Sequence, residues 1–301
     1  MADMKNSDAF SSFHPAVNLL FFLTVFIFCA ACSHPVCTVI SFASAAVYYI
    51  NLKGSKATAF LLKGMLPLFL LTIIINPVFS HEGKTFLYLL PNGNYLTLES
   101  ILYGISGGIT IITVIIWFAV FSTVFTTDKF VYLFGKILPA LSLLLSVTLR
   151  FVPRFKRQLE TVKETQKAFG IDTENGTVLR RIKNALKCFS AVITLSLENS
   201  VQVSDSMKGR GWGLKGRTSY SNFTFESRDK TAFCFILFCD LALAAALLSG
   251  ALFWRFYPDI RGTLTPPLTI FCYVLYALFC FMPVYFNKKE DLLWKRLASK
   301  I

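Results

Sequence analysis

The sequence predicts an all-α membrane protein of about six transmembrane helices, with two further amphipathic helices in a basic region between the fourth and fifth spans. Three observations carry this. Apolar residues make up 54% of the 301 and charged residues only 16%, where a soluble domain carries about 25%. Mean hydropathy is +0.58, and the apolar residues gather in runs of nearly bilayer length. The chain also carries 30 Lys and Arg against 17 Asp and Glu, a surplus that membrane proteins keep on the cytoplasmic side. This composition excludes a water-soluble globule and a disordered chain.

The first run, residues 16–32, is not expected to be a cleaved signal. Only Lys5 precedes it and no small-residue cleavage site ends it. The second is 35–50, the third 59–78 and the fourth 101–126. The fifth is 231–254 and the sixth 267–286. The loops agree on orientation. Lys53 and Lys56 place the second connection inside, while 76–100 holds only Lys84 and reads as outside. The tail carries Lys288, Lys289, Lys295, Arg296 and Lys300, so both termini are expected in the cytoplasm.

Residues 128–230 hold 18 of the 30 Lys and Arg. Their two apolar stretches, 137–149 and 186–203, are short for a span. A membrane hairpin there would also put eight cations outside, against the charge rule. The segment is therefore read as cytoplasmic or interfacial, dividing the chain into 1–127, 128–230 and 231–301. Within it the periodicity is helical. Leu159, Val162, Gln166 and Phe169 share one face, and so do Ile182, Leu186, Phe189, Ile193, Leu197 and Val201. Glycines end both patterns, at Gly170 and from Gly209 to Gly213, where helices stop. The two apolar faces must be covered by the spans or by a partner.

Few residues suggest chemistry. Seven of the eight cysteines lie in or beside apolar runs, where Cys acts as a small hydrophobe. The Cys29–Cys32 pair has no second pair to complete a metal site, and the three histidines are scattered. No bound metal or cofactor is expected. Residues 211–216 spell GxGxxG, but a helix precedes them instead of a strand, so a nucleotide site is not expected. The chain lacks GxxxxGK[ST] and should not hydrolyse ATP itself. No nucleic-acid module accompanies the basic stretch 150–217. Asp240, within the fifth span, is the best intramembrane candidate, paired with an interfacial cation or functional in itself.

The segment 150–213 resembles a known family. Arg150-Phe-Val-Pro153 followed by Thr165-Gln-Lys-Ala-Phe-Gly-Ile-Asp172, and then Ser204-Asp-Ser-Met-Lys-Gly-Arg-Gly-Trp-Gly213, is similar to the paired signature of the transmembrane T components of energy-coupling factor (ECF) transporters, which include CbiQ. Phe13-His-Pro15 and Asn76-Pro77 also fit, and the likeness covers residues 13–255. The resemblance implies a multi-pass, non-catalytic subunit of a prokaryotic cell membrane. Its partners would be two cytoplasmic ATPases, which receive the two coupling helices, and a small membrane S component that binds a vitamin or metal. It assigns ATPase coupling to Ala168, Phe169, Gly170, Gly209, Arg210 and Gly211. Phe169 stands where the family usually has arginine. The alternatives are the permease of another ABC transporter type, which would use one short cytoplasmic loop, and an intramembrane enzyme, for which the spans supply too few polar residues.

Overall fold

The structure is a computed structural model that describes residues 8–79, 83–89, 95–135, 139–171, 173, 175, 177–212, 214 and 223–299. It divides into two compact units, 1–127 with 223–301, and 128–222.

The first unit contains α1 (Pro15–Ala31), α2 (Pro35–Lys53), α3 (Ser55–Phe60), a π-helical turn (Leu61–Met65) and α4 (Leu66–Phe79). A short hairpin of β1 (Phe86–Leu89) and β2 (Tyr95–Thr97) leads into α5 (Leu98–Val124). In the second unit lie α6 (Thr127–Gly135, which begins at the boundary), α7 (Pro139–Ala168) and α8 (Val178–Gly209). The first unit resumes with α9 (Ser227–Leu248), a hairpin of β3 (Trp254–Arg255) and β4 (Arg261–Gly262), and α10 (Pro267–Ala298).

Among the described residues, five helical segments are long and apolar enough to cross a bilayer: α2, Ser55–Phe79, α5, α9 and α10. The shorter apolar α1, with 17 residues, completes six. Two boundaries differ from expectation. The fifth span ends at Leu248, because Gly250 adopts φ 74 and closes the helix. The amide of Ala251 then reaches back to Ala246 and that of Gly250 to Leu247, a left-handed glycine cap. The sixth helix continues past residue 286 to Ala298, since Lys, Glu, Leu and Arg there are good helix formers and no Gly or Pro interrupts them.

The core of this unit is aromatic. Phe21, Phe22, Trp117, Tyr48, Tyr276 and Phe279 are fully buried where α1, α2, α5 and α10 meet. The Trp117 indole N–H donates to Ser41 Oγ at 3.0 Å, satisfying a polar atom that apolar packing would leave unpaired. Helix α4 lies on α5 through Gly104 and Gly108. A Cβ at Gly108 would stand 2.5 Å from Thr72 Oγ1 and 2.9 Å from the Phe69 ring. The GxxxG spacing admits the close approach that binds helices in a bilayer.

The turn between α1 and α2 is clamped by His34. Its Nδ1 accepts from the Val36 amide at 3.3 Å, so the proton sits on Nε2, which faces the Thr263 carbonyl at 3.1 Å and the Tyr273 hydroxyl at 3.0 Å. Burial pushes His34 below the usual imidazole range. The unfolded chain, with an ordinary value near about 6.5, therefore binds the proton first as pH falls. The stabilisation is complete above that value and declines below it, down to the folded value. Thermal unfolding in detergent should show a loss of Tm in the wild type between neutral and mildly acidic pH. His34→Gln should start lower and lose less.

The amino-terminal residues 8–14 lie across one end of the bundle. Asp8 accepts from the Tyr48 hydroxyl at 2.8 Å and from the Asn287 amide at 2.5 Å. The Phe10 amide donates to Asn287 Oδ1, and the His14 amide to Asp229 Oδ1. Arg228 donates to Ser12 and lies 4.9 Å from the Phe13 ring centroid. The segment thus ties α1, α2, α9 and α10 together.

Candidate functional site

Helix α7 is one continuous helix of 30 residues with Pro153 inside it. The apolar stretch 137–149 and the amphipathic stretch from Lys156, read separately from the sequence, are joined from Pro139 onward. Leu159, Val162 and Gln166 are half-buried, as the periodicity implies. Phe169 leaves that face: the helix has ended, and the ring is 78% exposed.

The two helix ends have the same geometry. At the first, the Ile171 amide donates to the Gln166 carbonyl and the Gly170 amide to Lys167, both at 3.0 Å, with Gly170 at φ 77. At the second, the Trp212 amide donates to Met207 and the Gly211 amide to Lys208, again at 3.0 Å, with Gly211 at φ 74. Both are Schellman caps, in which the glycine takes a conformation that a Cβ disfavours. Phe169 and Arg210 therefore hold equivalent positions, each the last residue before its left-handed glycine. Both are exposed, and Arg210 has no ion-pair partner among the described residues. Trp212 and Leu214, just past the second cap, are exposed too, although the resemblance assigns a coupling role to neither. Asp172 and Gly213 of the motifs, and Gly213, Lys215 and Gly216 of the GxGxxG, lie outside the described residues.

Gly209 differs from the other two. It is helical, and a Cβ there would meet nothing within 4 Å among the described residues. Gly209→Ala should leave stability unchanged or raise it by up to about 1 kcal/mol, since Ala is the better helix former. Gly170→Ala and Gly211→Ala should each cost about 1–2 kcal/mol, the usual expense of a left-handed residue with a Cβ. Unfolding midpoints of the three variants check this. Equal losses in all three would refute the assignment of the caps.

The apolar stripe of α8 is the larger departure. Ile182, Leu186, Phe189, Ile193, Leu197 and Val201 are all exposed, Leu197 by 65%. The buried face is instead Asn184, Cys188 and Val192, four residues apart. Arg154 of α7 donates to Asn199 of α8 at 3.4 Å. The hairpin is therefore joined in part by small and polar groups, while its most apolar face is exposed among the described residues. Hydrophobicity identified the stripe but not its direction.

In the first unit, Asp240 meets a hydroxyl and not a cation. Thr24 Oγ1 of α1 donates to its Oδ2 at 3.0 Å, and its buried Oδ1 has no hydrogen-bond partner among the described residues. The interfacial Lys or Arg weighed as its partner does not reach it among the described residues.

Comparison with known proteins bears on this arrangement. The profile of the family described as cobalt transport protein, CbiQ, matches residues 10–220. The chain is 24% identical over 212 residues to the energy-coupling factor transporter transmembrane protein EcfT 1 of Listeria monocytogenes, covering 64% of this chain and 77% of that one. It is 25% identical over 208 residues to the EcfT protein of Bacillus subtilis, covering 63% and 74%. With the EcfT protein of Staphylococcus aureus it is 25% identical over 253 residues, covering 78% and 92%. The matched region of the family profile takes in both glycine-capped helix ends.

Proposed function

This chain belongs to the CbiQ family of cobalt transport proteins, and we propose that it carries motion from two cytoplasmic ATPase subunits to a separate substrate-binding membrane protein. It is the transmembrane component of an energy-coupling factor transporter, a multi-pass protein of a bacterial membrane. The observation that supports the coupling role is the pair of equivalent capped ends, Ala168-Phe169-Gly170 and Gly209-Arg210-Gly211. Between them lies α8, of 32 residues and so about 48 Å long. That spacing suits two partners, one at each end, better than a single contact. At the second end a guanidinium offers a planar, two-pronged donor to a carboxylate. At the first, Phe169 offers an apolar ring. The free stripe of α8 gives the apolar contact that helix-in-groove recognition needs.

The chain itself binds no nucleotide in this reading and hydrolyses none. Residues 128–230 and both termini face the cytoplasm. The substrate, a vitamin or a transition metal ion, is chosen by the partner membrane protein. Affinity purification from membranes tests the assignment: an ATPase pair and a small membrane protein should accompany the tagged chain. Recovery of the chain alone, or ATP hydrolysis by the chain freed of contaminating ATPases, would overturn it.

A further inference from the structure

The third membrane segment, Ser55–Phe79, has a lysine where its neighbours are apolar. Lys63 is exposed within the π-helical turn, between Leu62 and Gly64. The turn has a local cause. Pro67 lacks the amide that the Lys63 carbonyl would meet in an α-helix, and its ring crowds that carbonyl. Widening the preceding turn relieves both. The cause explains the backbone but not the choice of a cation.

Two further cations share the place. Lys56 precedes Lys63 by seven residues and so lies about 10 Å away along the axis. Phe60 stands between them. Gly54, at φ 57, turns the chain back between α2 and α3, and this turn brings in Lys53. The Lys53 ammonium lies 5.5 Å from the Tyr49 ring centroid, and Tyr49 is 5.7 Å from Phe60. All three lysines are exposed, and none has a carboxylate partner among the described residues.

Depth gives the cluster a chemical meaning. Ser55–Phe79 has 25 residues, about 37 Å, against a hydrocarbon thickness of about 30 Å. If the surplus lies at its start, Lys56 sits among the headgroups and Lys63 about 6 Å inside the hydrocarbon. An unpaired ammonium there is costly, so its stem must run back toward the headgroups. That directs it to the level of Lys56, where the phosphates are. Beside its stem, a Cβ on Gly64 would touch only the Phe60 ring among the described residues, at 3.8 Å, leaving room for an acyl chain.

We propose that Lys53, Lys56 and Lys63 hold the phosphate of an anionic phospholipid at the start of the third span, with its acyl chain along Phe60 and Gly64. The site depends on the span being in a membrane and not on the transport role. It sets the depth of the segment on which α5 is packed.

Native mass spectrometry of the delipidated protein, titrated with phosphatidylglycerol or with phosphatidylcholine, tests this. Phosphatidylglycerol should bind the wild type more tightly than phosphatidylcholine. Lys63→Gln should reduce its binding about fivefold, and Lys56→Gln by a similar factor, from the usual effect of one cation near a lipid surface. Lys63→Arg should retain it, and Lys295→Gln on α10 should change nothing. Equal binding by wild type and Lys63→Gln, or equal binding of the two lipids, overturns the proposal. Inorganic phosphate displacing phosphatidylglycerol at equal concentration would assign the site to free phosphate and also overturn it. So would lysine variants that keep the lipid but lose a copurifying membrane protein, because the cluster would then be a protein contact.

Discussion

Arg210→Ala should stop uptake and strip the chain of ATPase while leaving it inserted and folded. Arg210 stands at a helix end fixed by a Schellman cap, exposed and without an ion-pair partner among the described residues. Its counterpart at the other end is Phe169, so in the proposed coupling the second end would carry the charged contact alone. Once the partner covers it, removing one member of a desolvated charge pair costs about 2–5 kcal/mol, much of it from the carboxylate left unpaired. That corresponds to a loss of affinity of at least about 30-fold. Arg210→Lys should restore only part, because a point charge cannot reproduce the guanidinium fork. Phe169→Ala should weaken assembly less, through apolar area alone. The readouts are ATPase recovered by pull-down and uptake in cells, with membrane content of the variant as the control. Wild-type ATPase recovery by Arg210→Ala would mean that Arg210 neutralises lipid phosphate instead.

Phe10→Ala should destabilise the membrane unit by about 3–5 kcal/mol, the range for removing a buried aromatic ring. Phe10 is 0% exposed. Its ring centroid lies 5.1 Å from that of Phe21 and 6.5 Å from that of Tyr48, so the ring fills the gap between α1 and α2. Its amide also holds Asn287 of α10. Phe10→Leu should recover much of the loss by refilling the volume. Ser11→Ala, next to it and only half-buried, should cost far less. Thermal unfolding and limited proteolysis in detergent decide. A Tm for Phe10→Ala equal to the wild type would show that residues 8–14 do not brace the bundle.

The contrast between these two residues marks how much was legible. The Arg210 cap could be read from the chain because its causes are local: apolar residues at helical spacing, then a glycine at the stop. The six apolar segments follow equally from local composition, since a bilayer requires only length and the absence of charge. Charge counting suggested the sidedness of the loops for the same reason. Phe10 could not be read this way. It sits in a short polar stretch, and nothing nearby in sequence says that Phe21, Tyr48 and Asn287 converge on it.

The sequence by itself determined which segments are long and apolar enough to cross a membrane and where its two long amphipathic helices stop. These depend on transfer energies and backbone preferences that belong to each segment. Only the tertiary structure decided which faces those segments turn toward one another. It left the α8 stripe exposed and buried Asn184 and Cys188 instead. It paired Asp240 with Thr24, 216 positions away, and seated α4 against two glycines of α5. Each of these is a meeting of residues far apart in the chain. Such a meeting depends on shape and close approach, and hydrophobic periodicity contains neither.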